Sequence, residues 1–172
     1  AKPFIDINGK PMIAHVIDNI SFKKSELILI LQNDHLKVKE NIESLSSINY
    51  KLITLNKVTE GTACTVLKAF NFINNNQPLL IANSDQIVDF SCEEFVNDCI
   101  QRDLDGSILV FKEKELNTKW SYVKTNDEGL VIEVAEKKAI SDLATVGIYF
   151  FRRGSQFCSA AIDMITSNDR VN

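Results

Sequence analysis

The sequence has no run of lysine or arginine. Its basic pairs, Lys23-Lys24, Lys137-Lys138 and Arg152-Arg153, stand apart from one another, and the formal net charge is −4. A protein that grips a phosphate backbone needs a clustered positive face, so no nucleic-acid partner is expected. Metal-binding spacings are missing too. The two histidines, His15 and His35, stand alone, and the four cysteines form no CxxC pair, which argues against a zinc site. Cys64, Cys92 and Cys99 fall in predicted helices at core-facing spacings and read as small buried hydrophobes. With Cys158 they suit a reducing, cytoplasmic setting rather than a disulfide framework. No apolar stretch approaches the roughly 20 residues that a membrane span needs, and no signal peptide opens the chain, so no membrane partner is expected. Repeats, low-complexity segments and flexible linkers are also lacking.

What is present is an alternation of strands and helices. The 172 residues, 45% apolar and 24% charged, suit one domain, 1–172, and are too few for two. "FIDI" (4–7) is a short extended piece that ends in the turn dipeptide Asn8-Gly9. Pro11 suits a first helical turn, and Met12, Ile13, Val16, Ile17 and Ile20 follow at helical spacing. "ELILILQ" (26–32) is a continuous apolar strand of the kind buried on both faces of a parallel sheet. A helix over 35–45, a strand over 50–55, a helix over 61–73 and a strand over 78–82 come next. Ser91-x-x-Glu94 is a capping box that opens a helix to about residue 102, and 106–112 is again a strand. These repeated units predict an α/β fold: a doubly wound, mainly parallel sheet with helices on both faces. Beyond Lys112 the pattern shifts. "SYVKT" and "LVIEVAEK" flank Asn126-Asp127-Glu128-Gly129 as an antiparallel hairpin, followed by a strand over 144–151 and a helix from 155 to about 167.

Four polar clusters interrupt this scaffold at the ends of elements: Lys2-Pro3, Thr59-Glu60-Gly61-Thr62-Ala63, Asp85 at the end of "PLLIANSD", and Glu136-Lys137. Taken singly, each has a structural explanation. Lys2 serves as a solvated terminal charge, Gly61-Thr62 as a helix cap, Asp85 as a turn or capping residue, and Glu136-Lys137-Lys138 as an exposed strand end. Taken together they supply what phosphate chemistry requires. Backbone N–H groups beside a glycine let an anion approach closely. Lysines neutralise phosphate charge, and a carboxylate anchors a divalent cation. Transfer of a phosphoryl or nucleotidyl group asks mainly for positioning and charge stabilisation.

"KPFIDINGKPMIAHVIDNI", "EGTACTVLKAF", "LLIANSDQIVD" and "GLVIEVAEKK" followed by "ATVGIYFF" resemble, in order and spacing, four segments of the sugar-1-phosphate nucleotidyltransferases, or nucleotide-sugar pyrophosphorylases. The resemblance implies a Rossmann-like nucleotidyltransferase domain that condenses a nucleoside triphosphate with a sugar 1-phosphate, releases pyrophosphate and feeds surface-polysaccharide synthesis. It implies that Lys2 contacts the reacting phosphates, that Asp85 is catalytic by holding Mg²⁺, and that Gly61 and Thr62 lie against the nucleobase. It also implies that Glu136 binds sugar hydroxyls, that Lys137 binds the sugar phosphate, and that Thr145 and Gly147 line the sugar pocket.

There are departures from the family pattern. The family's G-x-G-x-R loop and first strand would precede Ala1, so the chain is expected to be incomplete there, with apolar surface open to homo-oligomer formation. A second metal-binding aspartate is expected near or beyond Asn172. Gln86 stands where a second acidic residue is usual, Lys138 replaces a proline, and Ser121-Tyr122-Val123 replaces a Tyr-Gly pair, so Tyr122 is expected to reshape the sugar pocket. Two further readings stay open: a nucleotidyltransferase for a non-sugar phosphate acceptor, and a non-catalytic module that binds nucleotide or sugar phosphate.

Overall fold

Asn8 and Gly9 both adopt left-handed backbone, with φ of 55° and 82°. Two such residues make the tight turn whose twist matches a hairpin. It joins β1 (Asp6–Ile7) to β2 (Lys10–Pro11), with Ile7 opposite Lys10. The computed structural model describes residues 2–36, 43, 45 and 48–167. Before the hairpin, Lys2–Phe4 forms a 3₁₀ turn instead of the start of a strand. After it comes α1 (Met12–Ile20), which buries Ile13, Ala14, Val16 and Ile17.

β3 (Ile28–Gln32) leads directly into α2 (Asn33–Leu36), and β4 (Lys51–Leu55) lies parallel to β3 in register Ile28↔Lys51 to Gln32↔Leu55. The predicted helix over 35–45 thus begins earlier, at Asn33, while its residues 37–42 and 44 lie outside the described residues. The helix predicted over 61–73 is α3 (Thr62–Val66), a 3₁₀ turn (Leu67–Ala69) and α4 (Phe70–Ile73) in succession. β5 (Leu79–Ala82) and α5 (Cys92–Gln101) follow. Ser91 caps α5 as predicted: the Glu94 N–H donates to Ser91 Oγ at 3.2 Å. The remaining elements are β6 (Gly106–Lys112), β7 (Tyr122–Thr125), β8 (Val131–Ala135), β9 (Leu143–Phe151) and α6 (Gly154–Thr166).

The α/β class and the β7–β8 hairpin stand as read from the sequence. The sheet is mixed in strand direction: among the described residues the parallel pairing is β3–β4, whereas β5, β6 and β7 each meet β9 antiparallel. Alternating strands and helices fix the order of elements but not their partners. β5 finds its partner in β9, which returns into the sheet after the hairpin.

Helices cover both faces, because successive strand residues point to opposite sides. From β3, Leu29 and Leu31 pack with Ile13, Ile17 and Leu45, while Ile28 and Ile30 reach the opposite cluster of Ala69, Ile73, Ile81, Phe157 and Ala161. Phe150 and Leu80 face α5, against Cys92, Val96 and Cys99. Each large apolar side chain buried this way contributes about 1.5–3 kcal/mol. Cys92, Cys99 and Cys158 are core residues, but Cys64 on α3 is only half-buried, because it is Ala63 and Val66 of that helix that turn to the core. Among the described residues no helix is long and apolar enough to cross a membrane.

Candidate active site

β9 organises the site. β6 takes one of its edges along nearly the whole length, and the other edge is shared. β5 pairs with residues 148–151, and β7 with residues 143–144. In the interval between them the chain leaves β5: Asn83 N–H donates to Gly147 O at 3.0 Å, and below it Thr145 N–H donates to Ser121 O at 2.8 Å. Asp85 lies in this exit loop, three residues beyond the end of β5. No helix starts there, so a capping role for Asp85 falls away and a turn role does not.

Gly147 has to be glycine. Its φ is 73°, and a Cβ would sit 2.1 Å from Asn83 Nδ2 and 2.6 Å from Gln86 Oε1. Those two side chains hydrogen-bond to each other at 3.2 Å, closing the loop around Asp85. Gln86, at the position where a second acidic group is usual, therefore braces the loop.

Lys2 Nζ lies 3.9 Å from Asp85 Oδ2, with side chains 82% and 39% exposed. Two clusters separated by more than 80 residues thus meet. Next to them a cleft of about 190 Å³ opens between Pro3, Gln32 and Leu55 at the ends of β3 and β4, Thr59, Thr65 and Ser84. The Thr59 and Thr65 hydroxyls bond to each other, and each reaches Gly61 O at 3.2 Å. Gly61 is the cap residue of α3, at φ 131°, and a Cβ placed on it would meet nothing within 4 Å. The capping explanation for Gly61 therefore holds, and the space beside it is open. Thr62 begins the helix proper.

The second half of the site is set by register. Ala135 pairs with Tyr122, and Tyr122 with Ala144. β8 and β9 both run antiparallel to β7, so Glu136 and Thr145 step off this row in the same direction, about 10 Å apart at two strand spacings. Thr145 is buried, whereas Glu136 and Lys137 are exposed and pair with each other at 3.5 Å. Lys137 holds left-handed backbone, φ 52°.

A family model described as nucleotidyl transferase matches residues 1–168. The chain belongs to that family. It is similar to the bifunctional protein GlmU of Methanocaldococcus jannaschii, 27% identical over 152 residues, 87% of this chain and 34% of that protein. It is also similar to the mannose-1-phosphate guanylyltransferase catalytic subunit beta of Danio rerio, 24% identical over 156 residues, 87% of this chain and 43% of that one. The chain therefore spans well under half the length of these relatives. In fold it resembles a nucleoside-diphosphate-sugar pyrophosphorylase from Vibrio cholerae RC9, with a TM-score of 0.73 at 22% identity, covering 99% of this chain and 73% of that one.

For a nucleotidyl transferase, the donor set at Asp85 suits a hard divalent cation. Mg²⁺ is typically held by one or two carboxylates, with substrate phosphates and water completing the shell. Asp85 offers one half-exposed carboxylate, and among the described residues no group of three or more His, Cys, Asp or Glu gathers there or elsewhere. Tyr122 departs from expectation. It is fully buried, its hydroxyl donates to Asn117 O at 2.8 Å, and it anchors the 113–121 loop instead of standing in a pocket. The sequence reading missed the bracing residues Asn83 and Gln86. Their partner Gly147 lies some 60 residues away, and only the pairing of β5 with β9 brings them together.

Proposed function

We propose that the chain forms the site at which a nucleoside triphosphate is joined to a sugar 1-phosphate, giving a nucleotide-sugar and pyrophosphate. One observation supports this reading above the rest: Lys2 and Asp85 meet beside the open cleft that Thr59 and Thr65 border, and both of those hydroxyls reach the Gly61 carbonyl. A cation, a hard anionic donor and unobstructed backbone next to a glycine are what bound triphosphate requires.

In this reading the nucleobase lies against Gly61 and Thr62, and the triphosphate runs toward Lys2. Glu136 receives sugar hydroxyls, Lys137 the sugar phosphate, and Thr145 and Gly147 line the pocket between. An oxygen of the sugar phosphate attacks the α-phosphorus in line. A new P–O bond forms as the bond to the β-phosphate oxygen breaks, and the electron pair leaves with pyrophosphate. No covalent enzyme intermediate is needed. Lys2 and Lys137 stabilise the charge that accumulates on the phosphates. Mg²⁺ held by Asp85 would supply Lewis-acid screening of the same oxygens. The substrates belong to cytoplasmic metabolism, and the product is an activated donor suited to polysaccharide assembly.

Asp85→Asn in the whole protein tests this. The exposed Lys2–Asp85 pair stabilises the fold by about 1 kcal/mol at most, so thermal unfolding should hardly change while pyrophosphate release is lost. Unchanged release would return Asp85 to the status of a turn residue.

A further inference from the structure

We infer that Asn19 is a positioning residue for Asp85, an inference that rests on the reading of Asp85 as a phosphate-site carboxylate. Asn19 lies in the last turn of α1 and is half-buried. Its Nδ2 donates to Val88 O at 2.8 Å, and its Oδ1 accepts from Val88 N–H at 3.0 Å. One side chain thus takes both backbone groups of a residue 69 positions away, as a neighbouring strand would. Val88 is three residues beyond Asp85, in a loop with no strand partner of its own.

The opposite end of α1 holds Lys2. Met12 N–H donates to Ile5 O at 2.9 Å, and Ile5 N–H to Lys2 O at 3.2 Å. α1 has nine residues, a rod about 13 Å long. Lys2 is tied to its start and the Asp85 loop to its last turn, so both charged segments are anchored on this one helix. Asn is a poor helix former, and its amide contributes little to apolar packing. The bidentate grip on Val88 accounts for its presence there. Asn83 and Gln86 hold the near side of the loop against β9, and Asn19 holds the far side against α1.

Hydrogen exchange and ligand titration on the whole protein test this with Asn19→Leu and Asn19→Asp. In Asn19→Leu, residues 84–90 should exchange faster while 12–18 keep their protection. The best-binding nucleotide from a panel of ATP, GTP, CTP, UTP and dTTP should lose about ten-fold in affinity with Mg²⁺ present, the equivalent of one to two hydrogen bonds. Without metal the same nucleotide should bind nearly as before, because its contacts with the 59–65 segment are untouched. Asn19→Asp keeps the acceptor for Val88 N–H and loses the donor, so a smaller change in the same direction is expected, in a variant closer in shape to the original. Equal protection of 84–90 in both variants overturns the inference. So does an equal loss of binding with and without metal accompanied by loosening of α1, which would make Asn19 merely structural. A wild-type chain that binds none of the nucleotides but shows the same loop response supports the grip on Val88 and strikes the nucleotide reading instead.

Discussion

At the scale of single residues, Lys137 separates function from stability most cleanly. Its φ of 52° is a conformation that costs a side-chain-bearing residue about 1 kcal/mol or more. Its ion pair with Glu136 is exposed on both sides, 71% and 57%, and such pairs contribute about 0–1 kcal/mol. Lys137→Gly would relieve the strain, lose the weak pair and add freedom to the unfolded chain, so these small changes largely cancel. Thermal unfolding should therefore stay within a few degrees of wild type. If Lys137 meets the sugar phosphate, the same variant should lose one to two decades of affinity for it, about 1.5–3 kcal/mol for a charge-assisted contact. Calorimetric titration with a sugar 1-phosphate checks this; unchanged affinity would move the acceptor site away from β8.

At the scale of elements, the cysteines report which helices face the core. Alkylation requires a thiolate that reagent can reach. Burial pushes the Cys92 thiol up to about 11, and Cys99 and Cys158 are raised by burial as well. Half-buried Cys64 should be modified first by iodoacetamide, with the other three protected until the fold opens. Peptide mass mapping gives the order, and early labelling of Cys92 would mean that α5 detaches easily. The pH dependence has a definite sign. The folded Cys92 value lies above the unfolded one, so the unfolded chain loses its proton first. This contribution is complete at neutral pH and is lost as pH rises from the ordinary thiol range toward about 11.

The same elements show what the sequence could disclose. α1, the capped α5 and β6 were legible because apolar spacing and the Ser91–Glu94 box are local signals. Lys2, Gly61 and Asp85 stood out because polar groups break an apolar pattern where strands end. Pairing partners were not legible: nothing near "LLIA" specifies an antiparallel neighbour in β9. Asn19 and Asn83 look like ordinary polar positions, and Gln86 like a departure from the family pattern, until partners some 60 to 70 residues away are in place. Tyr122 misled for the opposite reason: a substitution in a family motif drew attention to the pocket, while the side chain turned into the core.

At the scale of the whole molecule, the β3–β4 pair and the five-stranded sheet share no ladder among the described residues. They are joined through apolar packing, with Ile28, Ile30 and Ile53 from one and Ile81, Tyr149 and Phe151 from the other meeting over Ala69, Ile73, Phe157 and Ala161. Such a shared core should make the halves melt together. Trp120 is the single tryptophan, edge-on to Phe111 at 5.3 Å with its indole N–H donating to Glu113 at 3.0 Å, so its fluorescence reports the β6–β7 region alone. Helix content by circular dichroism reports both halves. The two transitions should coincide, and Ile81→Ala should lower both by the same amount, about 2–5 kcal/mol for a buried branched residue. A nucleotide bound in the cleft of β3, β4 and α3 at 100 times its dissociation constant adds about 2.7 kcal/mol to the folded state. Because the stabilisation passes through the shared core, the Trp120 midpoint should rise although Trp120 does not line the cleft. If the circular-dichroism midpoint rises and Trp120 stays where it was, the two halves unfold independently and the packing around Ile81 does not couple them.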